Sequence, residues 1–381
     1  MNLVIFTPAI KASAIGRMAA LVTRALAGQG HEVTVVRTEN ENLLHRETHD
    51  FGVTVLPWND SARLMEVVQC ADTCIYQIGD NYDFHQGGLH WLSSLPGLVC
   101  LHDFYLGNLF YGWAQSQRAD ADTVLRIWYG DDLATQFFGF SNSEAFIAGT
   151  RDVSPMTEWI CSMAQGVITH SSWGCERVLN SCPGPVRVVP LAYDAPGAST
   201  VGNRSQHADN ESLRILTVGH INPNKRVESV IRAIGDSLSL RQRVIYRLVG
   251  HVEPDVVNSL SALARNLGVR LDISGEVDDV TLSQAIAASD VISCLRWPSL
   301  EAASASAVEA MLYGKPVIVT DTGFYAEIPD QYVLKISPDN EIGDLQSVLK
   351  SLLDDEGRRK SMGTQGQQWA SQTFTGENYA C

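Results

Sequence analysis

Long apolar runs are missing from this chain: no stretch reaches the ~18 residues that a membrane-spanning helix requires. The first strand-like run, residues 2–6, is interrupted by Pro8 and has no basic flank, so it does not read as a signal peptide. Basic residues are scarce, 28 against 43 acidic ones, for a net charge of −15. That balance excludes a direct binder of nucleic-acid backbones, which need a basic face. It also argues against adhesion of the whole surface to anionic lipid. Eight cysteines are scattered with no CxxC, several inside apolar strands where Cys acts as a small hydrophobe. Reduced, structural thiols and a cytoplasmic location follow as expectations. No His/Cys grouping has metal-ligand spacing, no Asp-x-Asp closes a strand, and the first turn lacks G-x-G-x-x-G.

What is present is a repeating β–α pattern in a globular composition, 45% apolar with 30 Gly and 14 Pro, long enough for two cores. Residues 1–192 read as the first domain. Strands are expected at 3–7, 32–36, 53–56, 73–78, 98–101, 166–169 and 186–190, with helices at 16–27, 88–95 and 172–180. Gly16 opens the first helix. Asp80 and Asn81 follow the strand at 73–78, and His102 and Asp103 follow the strand at 98–101, all on the edge where open α/β sheets bind ligands. Residues 104–146 are helical in pattern and rich in aromatics, including Phe110, Tyr111, Trp113, Trp128 and Tyr129. They suit either an acceptor wall, a partner or membrane surface, or a hairpin packed by its own rings.

Residues 193–212 carry Ala, Gly, Ser, Asn and Asp without apolar periodicity and read as a linker. A second domain, 213–373, starts with a strand at 213–218, then Gly219, His220 and a turn through Pro223 to Lys225 and Arg226. Further strands are expected at 244–249, 269–273, 291–295 and 317–320. After the fourth comes Arg296-Trp-Pro-Ser-Leu-Glu301, a small-residue segment through Ser304, Ala305 and Ser306, then Glu309 and Gly314-Lys-Pro. Pro298 stops the strand, and Gly314 with Pro316 ends the helix. Small side chains leave the helix N-terminus accessible to a phosphate, while the two glutamates suit hydroxyls of a sugar and a ribose.

Glu301 and Glu309, followed by Ala-Met-x-x-Gly-x-Pro-Val-Ile, resemble the Glu-x7-Glu signature of retaining GT-B glycosyltransferases, specifically family four, the glycosyl transferases group 1. The resemblance implies an α/β GT-B fold, two Rossmann-like domains facing across a cleft, with the acceptor bound by the first and the nucleotide sugar by the second. It implies retaining, metal-independent hexosyl transfer from a nucleoside-diphosphate sugar to a saccharide or lipid-linked saccharide, in surface polysaccharide assembly. No cofactor beyond the donor substrate is expected, nor nucleic acid; a peripheral position at the inner membrane face or a larger multidomain context is.

By the same resemblance His102, Lys225 and Glu301 serve catalysis. Gly16, Gly219, His220, Lys225, Val277, Glu301, Ser304, Ala305, Ser306 and Glu309 hold the donor, and Asp80, Asn81 and Asp103 face the acceptor. His220 stands where the family usually shows Arg, so Lys225 is expected to meet the diphosphate with help from Arg226 or Arg296. The rivals are a GT-B-type nucleotide-sugar epimerase and a non-catalytic GT-B-like subunit. Residues 374–381 are expected to begin a crossing back to the first domain, as in one module of a longer polypeptide.

Overall fold

The computed structural model describes residues 1–195, 197 and 212–381. The expected linker therefore lies for the most part outside the described residues. The chain divides into two compact units. The first comprises Met1–Tyr193, Leu300–Ala303 and Thr375–Cys381; the second comprises Asp194–Ser299 and Ser304–Phe374.

The first unit is built on a parallel sheet of strands β1 (Asn2–Thr7), β2 (Glu32–Arg37), β3 (Val55–Pro57), β4 (Thr73–Ile78), β5 (Leu98–Leu101), β6 (Gly166–Thr169) and β7 (Val186–Val188). Their order is β3-β2-β1-β4-β5-β6-β7. Strands covered on both faces read as continuous apolar runs, and Val4, Ile5 and Phe6 are all buried. Phe6 stacks on Tyr76 of β4 with ring centroids 4.5 Å apart. The helix Ala14–Gly28, capped by Ser13, buries Met18, Ala19, Val22 and Leu26 at helical spacing.

Three helix starts differ from the sequence reading. The first begins at Ala14, because the Ser13 hydroxyl accepts from the Gly16 N–H at 3.0 Å. The helix expected at 88–95 runs Tyr82–Leu92, because Asn81 accepts from the Asp83 N–H. Gly87 lies inside it without breaking it; a β-carbon there would fall 2.2 Å from the Trp58 ring, so the glycine admits the indole. The third helix begins at Cys175.

The aromatic stretch is mostly interior. Phe104, Tyr105, Phe110, Phe137 and Phe146 are buried, and Phe110 meets Phe137 and Trp159 edge to face. Phe110 is thus no part of an acceptor wall; Tyr111 at 41%, Trp128 at 36% and Phe140 at 36% are the rings that keep exposure.

The second unit holds β8 (Leu213–Val218), β9 (Val244–Val249), β10 (Arg270–Ile273), β11 (Val291–Cys294), β12 (Val317–Thr320) and β13 (Leu334–Ile336). They are parallel in the order β10-β9-β8-β11-β12-β13. The strand β13, short and absent from the sequence reading, completes the edge. Each sheet reverses its strand order once, between β1 and β4 and between β8 and β11, the point at which open α/β sheets bind ligands.

Candidate active site

At the second unit's reversal point, Gly219 leaves β8 with φ at +86°, a conformation glycine adopts without strain. A single 3-10 turn, Pro223–Lys225, then carries the chain into the helix Val227–Gly235. Two bonds tie this loop to the loop after β11: the Trp297 N–H donates to the Asn224 carbonyl at 3.0 Å, and the Asn224 amide donates to the Pro298 carbonyl at 2.9 Å. β11 leads in turn to the helix Ala305–Leu312, whose N-cap is Ser304. Its hydroxyl accepts from the Ala307 N–H at 3.4 Å and bonds the Ser306 hydroxyl at 3.2 Å. Glu309 is buried one turn further along.

Lys225 is buried, and its ammonium donates to the Val218 carbonyl at the end of β8. The turn thus holds it against the strand end instead of extending it from a loop. Arg226 does not support it: its guanidinium pairs with buried Glu341 at 3.0 Å, away from the expected task. Arg296 is also buried, donating from its guanidinium to the Leu295 carbonyl at 2.8 Å. His220 is exposed. Partial desolvation, with nearby His251 and Lys225, holds its imidazole below the ordinary value. On the far side of β9, the turn Ser274–Asp278 bonds to the loop after that strand, Gly250 N–H donating to Gly275 at 2.7 Å, and Val277 is half-buried there.

In the first unit the segment Leu300–Ala303 adds to the strand end after β5. The Leu300 carbonyl accepts from Phe104 and Tyr105, and the Ala302 N–H donates to His102 at 2.7 Å. The Ser171 hydroxyl donates to the Ala302 carbonyl, and the Trp173 indole donates to the Glu301 carbonyl at 3.2 Å. Asp103 and Glu301 lie opposite one another in an antiparallel bridge. Glu301 therefore belongs to the first unit and Glu309 to the second, although eight positions separate them in sequence.

Burial and the Glu301 charge push the Asp103 carboxyl up to about 7, opposed by the bond it accepts from the Asp80 N–H at 2.8 Å. Burial and Asp103 also push Asp80 well up. The Asp80 carboxylate accepts from the Leu109 N–H at 2.8 Å and the Asn108 amide at 2.6 Å, tethering the helix Gly107–Ala114, which has no cap of its own. Asn81 caps its own helix.

His102 is buried and bonded through Nε2 to the Gln77 amide oxygen at 2.7 Å, which sets the Nε2–H tautomer. Desolvation, then His170 and His85, holds it well below the ordinary value, so it is a neutral donor and not a cation. Gly16 has a packing reason to be glycine: a β-carbon would lie 2.3 Å from the Pro8 carbonyl oxygen.

Sequence reasoning missed Glu39, wholly buried beyond β2. It accepts from the Ala9 and Ile10 N–H groups at 2.7 and 2.5 Å and from Arg37 at 3.3 Å, fixing the loop after β1. It also missed His170, whose ring centroid lies 4.7 Å from that of His102, and His251, 5.2 Å from His220. The one available signal was position, since each follows the carboxyl end of a parallel strand. Among the described residues no group of His, Cys, Asp or Glu is arranged to hold a metal ion.

Two parallel sheets, each with one reversal point, give the GT-B class. Solved structures share it over essentially the whole chain. Sucrose-phosphate synthase from Thermosynechococcus elongatus superposes with a TM-score of 0.64 at 17% identity, covering 99% of this chain and 96% of its own. Anabaena HepE in complex with UDP and glucose does so with a TM-score of 0.64 at 18% identity, covering 100% and 97%. Residues 203–369 match the family model described as glycosyl transferases group 1. MMP alpha-(1->4)-mannosyltransferase of Mycolicibacterium hassiacum is 25% identical over 263 residues, 66% of this chain and 58% of the relative. D-inositol 3-phosphate glycosyltransferase of Kribbella flavida, 28% identical over 203 residues, is covered over 46% of its length. The chain spans about half the length of these curated relatives. Over residues 203–369 the chain is similar to the glycosyl transferases group 1, and its fold is that of the solved GT-B structures.

Proposed function

We propose that the chain transfers a hexosyl group from a nucleoside-diphosphate sugar to a saccharide hydroxyl, with retention and without a metal ion. The observation that carries this reading is the reversal point of the second unit, inside the segment matching the group 1 model. There a buried lysine at the end of β8 and a serine-capped helix N-terminus follow two paired strands, β8 and β11, with a buried glutamate on that helix. Glu309 takes the ribose hydroxyls, and the first turn from Ser304 to Ser306 takes the phosphate. Lys225 stabilises the departing diphosphate. Val277 lies in the turn that meets the base through its backbone.

In the first unit Glu301 orients the sugar hydroxyls, and His102, its Nε2–H held by Gln77, accepts through Nδ1 from a hydroxyl at the reacting face. Gly16 opens the loop on the donor side, and Asp80, Asn81 and Asp103 border the acceptor. The bond from the anomeric carbon to the diphosphate oxygen breaks, the acceptor oxygen bonds that carbon, and the acceptor proton passes to the leaving diphosphate. Front-face attack of this kind yields retention without a covalent nucleophile. A growing surface polysaccharide or a lipid-linked saccharide is the acceptor class, reached from the cytoplasm with peripheral contact at the inner membrane face. Among the described residues no helix is long and apolar enough to cross a membrane.

Thermal stabilisation by UDP, GDP, ADP, CDP and dTDP tests the donor site, with Glu309→Ala as the control. One nucleotide should raise the melting temperature of the wild type and leave the variant unmoved. No shift with any nucleotide would overturn the reading. Product anomeric configuration, read by NMR, tests retention, and undiminished turnover in excess EDTA is expected for metal independence.

A further inference from the structure

We infer that His220 and His251 form a two-imidazole subsite for the donor diphosphate, so that donor affinity depends on protonation of this pair. The inference deepens the donor reading above and rests on it.

Backbone geometry sets the two rings side by side. β8 and β9 pair with Val218 opposite Val249, so each histidine lies two residues beyond a matched position. The loops stay zipped past the strands: the Gly219 N–H donates to Val249 at 2.9 Å and the Ile221 N–H donates to His251 at 2.8 Å. Ile221 and Val252 then pair in a parallel bridge. A β-carbon at Gly250 would lie 2.3 Å from the Gly219 carbonyl oxygen, so glycine is needed for this approach. The imidazoles meet at 5.2 Å and 68°, both exposed at the carboxyl end of the sheet.

The other cations of these loops are engaged within the fold. Lys225 donates to Val218, Arg226 pairs with Glu341, and Arg296 donates to Leu295. His251 bonds the Glu253 carboxylate at 3.1 Å through Nε2. Of the groups facing His220, His251 and Lys225 disfavour its charge and Glu253 favours it. The neighbouring turn adds Glu276 and Asp278, the latter held by the Thr281 N–H at 2.7 Å. Without ligand, His220 is mostly neutral near pH 7. A diphosphate between the rings reverses the balance, because its charge favours two imidazolium donors over two neutral rings. Binding then takes up protons, and affinity must fall as pH rises from the unliganded to the liganded titration range. An arginine at position 220 would stay charged and take up no proton, leaving His251 alone to titrate.

The test measures affinity of the full chain for ADP-, GDP- and UDP-glucose by calorimetry from about pH 5.5 to about pH 8, where imidazoles titrate. Their diphosphate is a diester and does not titrate there, so the slope belongs to the protein. The binding donor should weaken about tenfold per pH unit for each proton taken up, and heats in buffers of different ionisation enthalpy should show that uptake. His220→Gln and His251→Gln should each remove about half of the slope, the double variant should remove all of it, and His220→Arg should keep only the share of His251. Circular dichroism verifies that each variant folds. A flat wild-type profile, or a slope left undiminished by the double glutamine variant, overturns the subsite while donor binding stands. Failure of all three sugar nucleotides to bind the wild type overturns the donor reading and the subsite with it.

Discussion

Glu39 accepts two backbone N–H groups and faces Arg37 with no solvent exposure of its own side chain. Truncating one member of such a pair leaves the other buried without its counter-charge. Glu39→Ala should therefore lose about 3 kcal/mol in urea unfolding monitored on the whole chain. Lys225 raises a different expectation, because its ammonium also serves the strand end. Lys225→Ala should lower kcat for sugar transfer by roughly a hundredfold or more, while costing about 1 kcal/mol of stability for the Val218 carbonyl. A mutant with unchanged kcat would remove the lysine from the mechanism.

Asp103 carries a pH prediction. Its folded-state value of about 7 lies above the ordinary carboxylate range, so the folded state binds the proton more tightly than the unfolded chain. Its contribution is complete below the ordinary range and is lost as pH rises to about 7. Asp103→Asn should be more stable than the wild type above neutrality, and the gap should close in mild acid. Melting curves across that window decide it; equal curves above neutrality would show that Asp103 is ionised without cost.

Elements position these residues through their ends. The helix Ala305–Leu312 starts where Ser304 caps it, a signal legible in the Ser-Ala-Ser-Ala run before Glu309. The loop after β8 was legible as Gly219, His220 and a turn to Lys225, but its pairing with the loop after β9 was not. Their mutual approach, which demands glycine at position 250, is a property of strand pairing. Gly250→Ala should destabilise the second unit by about 1–3 kcal/mol, as forced overpacking does. It should also weaken donor binding, because the loop bearing His220 loses its support. Unfolding and calorimetric titration of the same variant separate the two effects. The helix Tyr82–Leu92 shows a start that local pattern misplaced: it was expected from Gly88, yet it runs through Gly87, which seats the Trp58 indole.

At the scale of the whole molecule the chain passes between its units four times, after Tyr193, Ser299, Ala303 and Phe374. Leu300–Ala303 is a short excursion into the first unit, and Thr375–Cys381 returns there, where the helix Gly376–Ala380 packs on Ala14–Gly28. Units linked this way should unfold together, with calorimetric and van't Hoff enthalpies equal in one transition. Two resolved endotherms would show that the crossings do not couple them.

The sequence by itself determined the α/β class, nearly all strands and the glutamate–glycine–proline stretch, because buried parallel strands and helix caps are local patterns. It also carried the exchange of Arg for His at position 220. Only the tertiary structure decided that Glu301 folds with the first unit and Glu309 with the second, that Arg226 belongs to Glu341, and that His251 stands beside His220. Each of those depends on pairing between segments far apart in the chain, which no local pattern encodes.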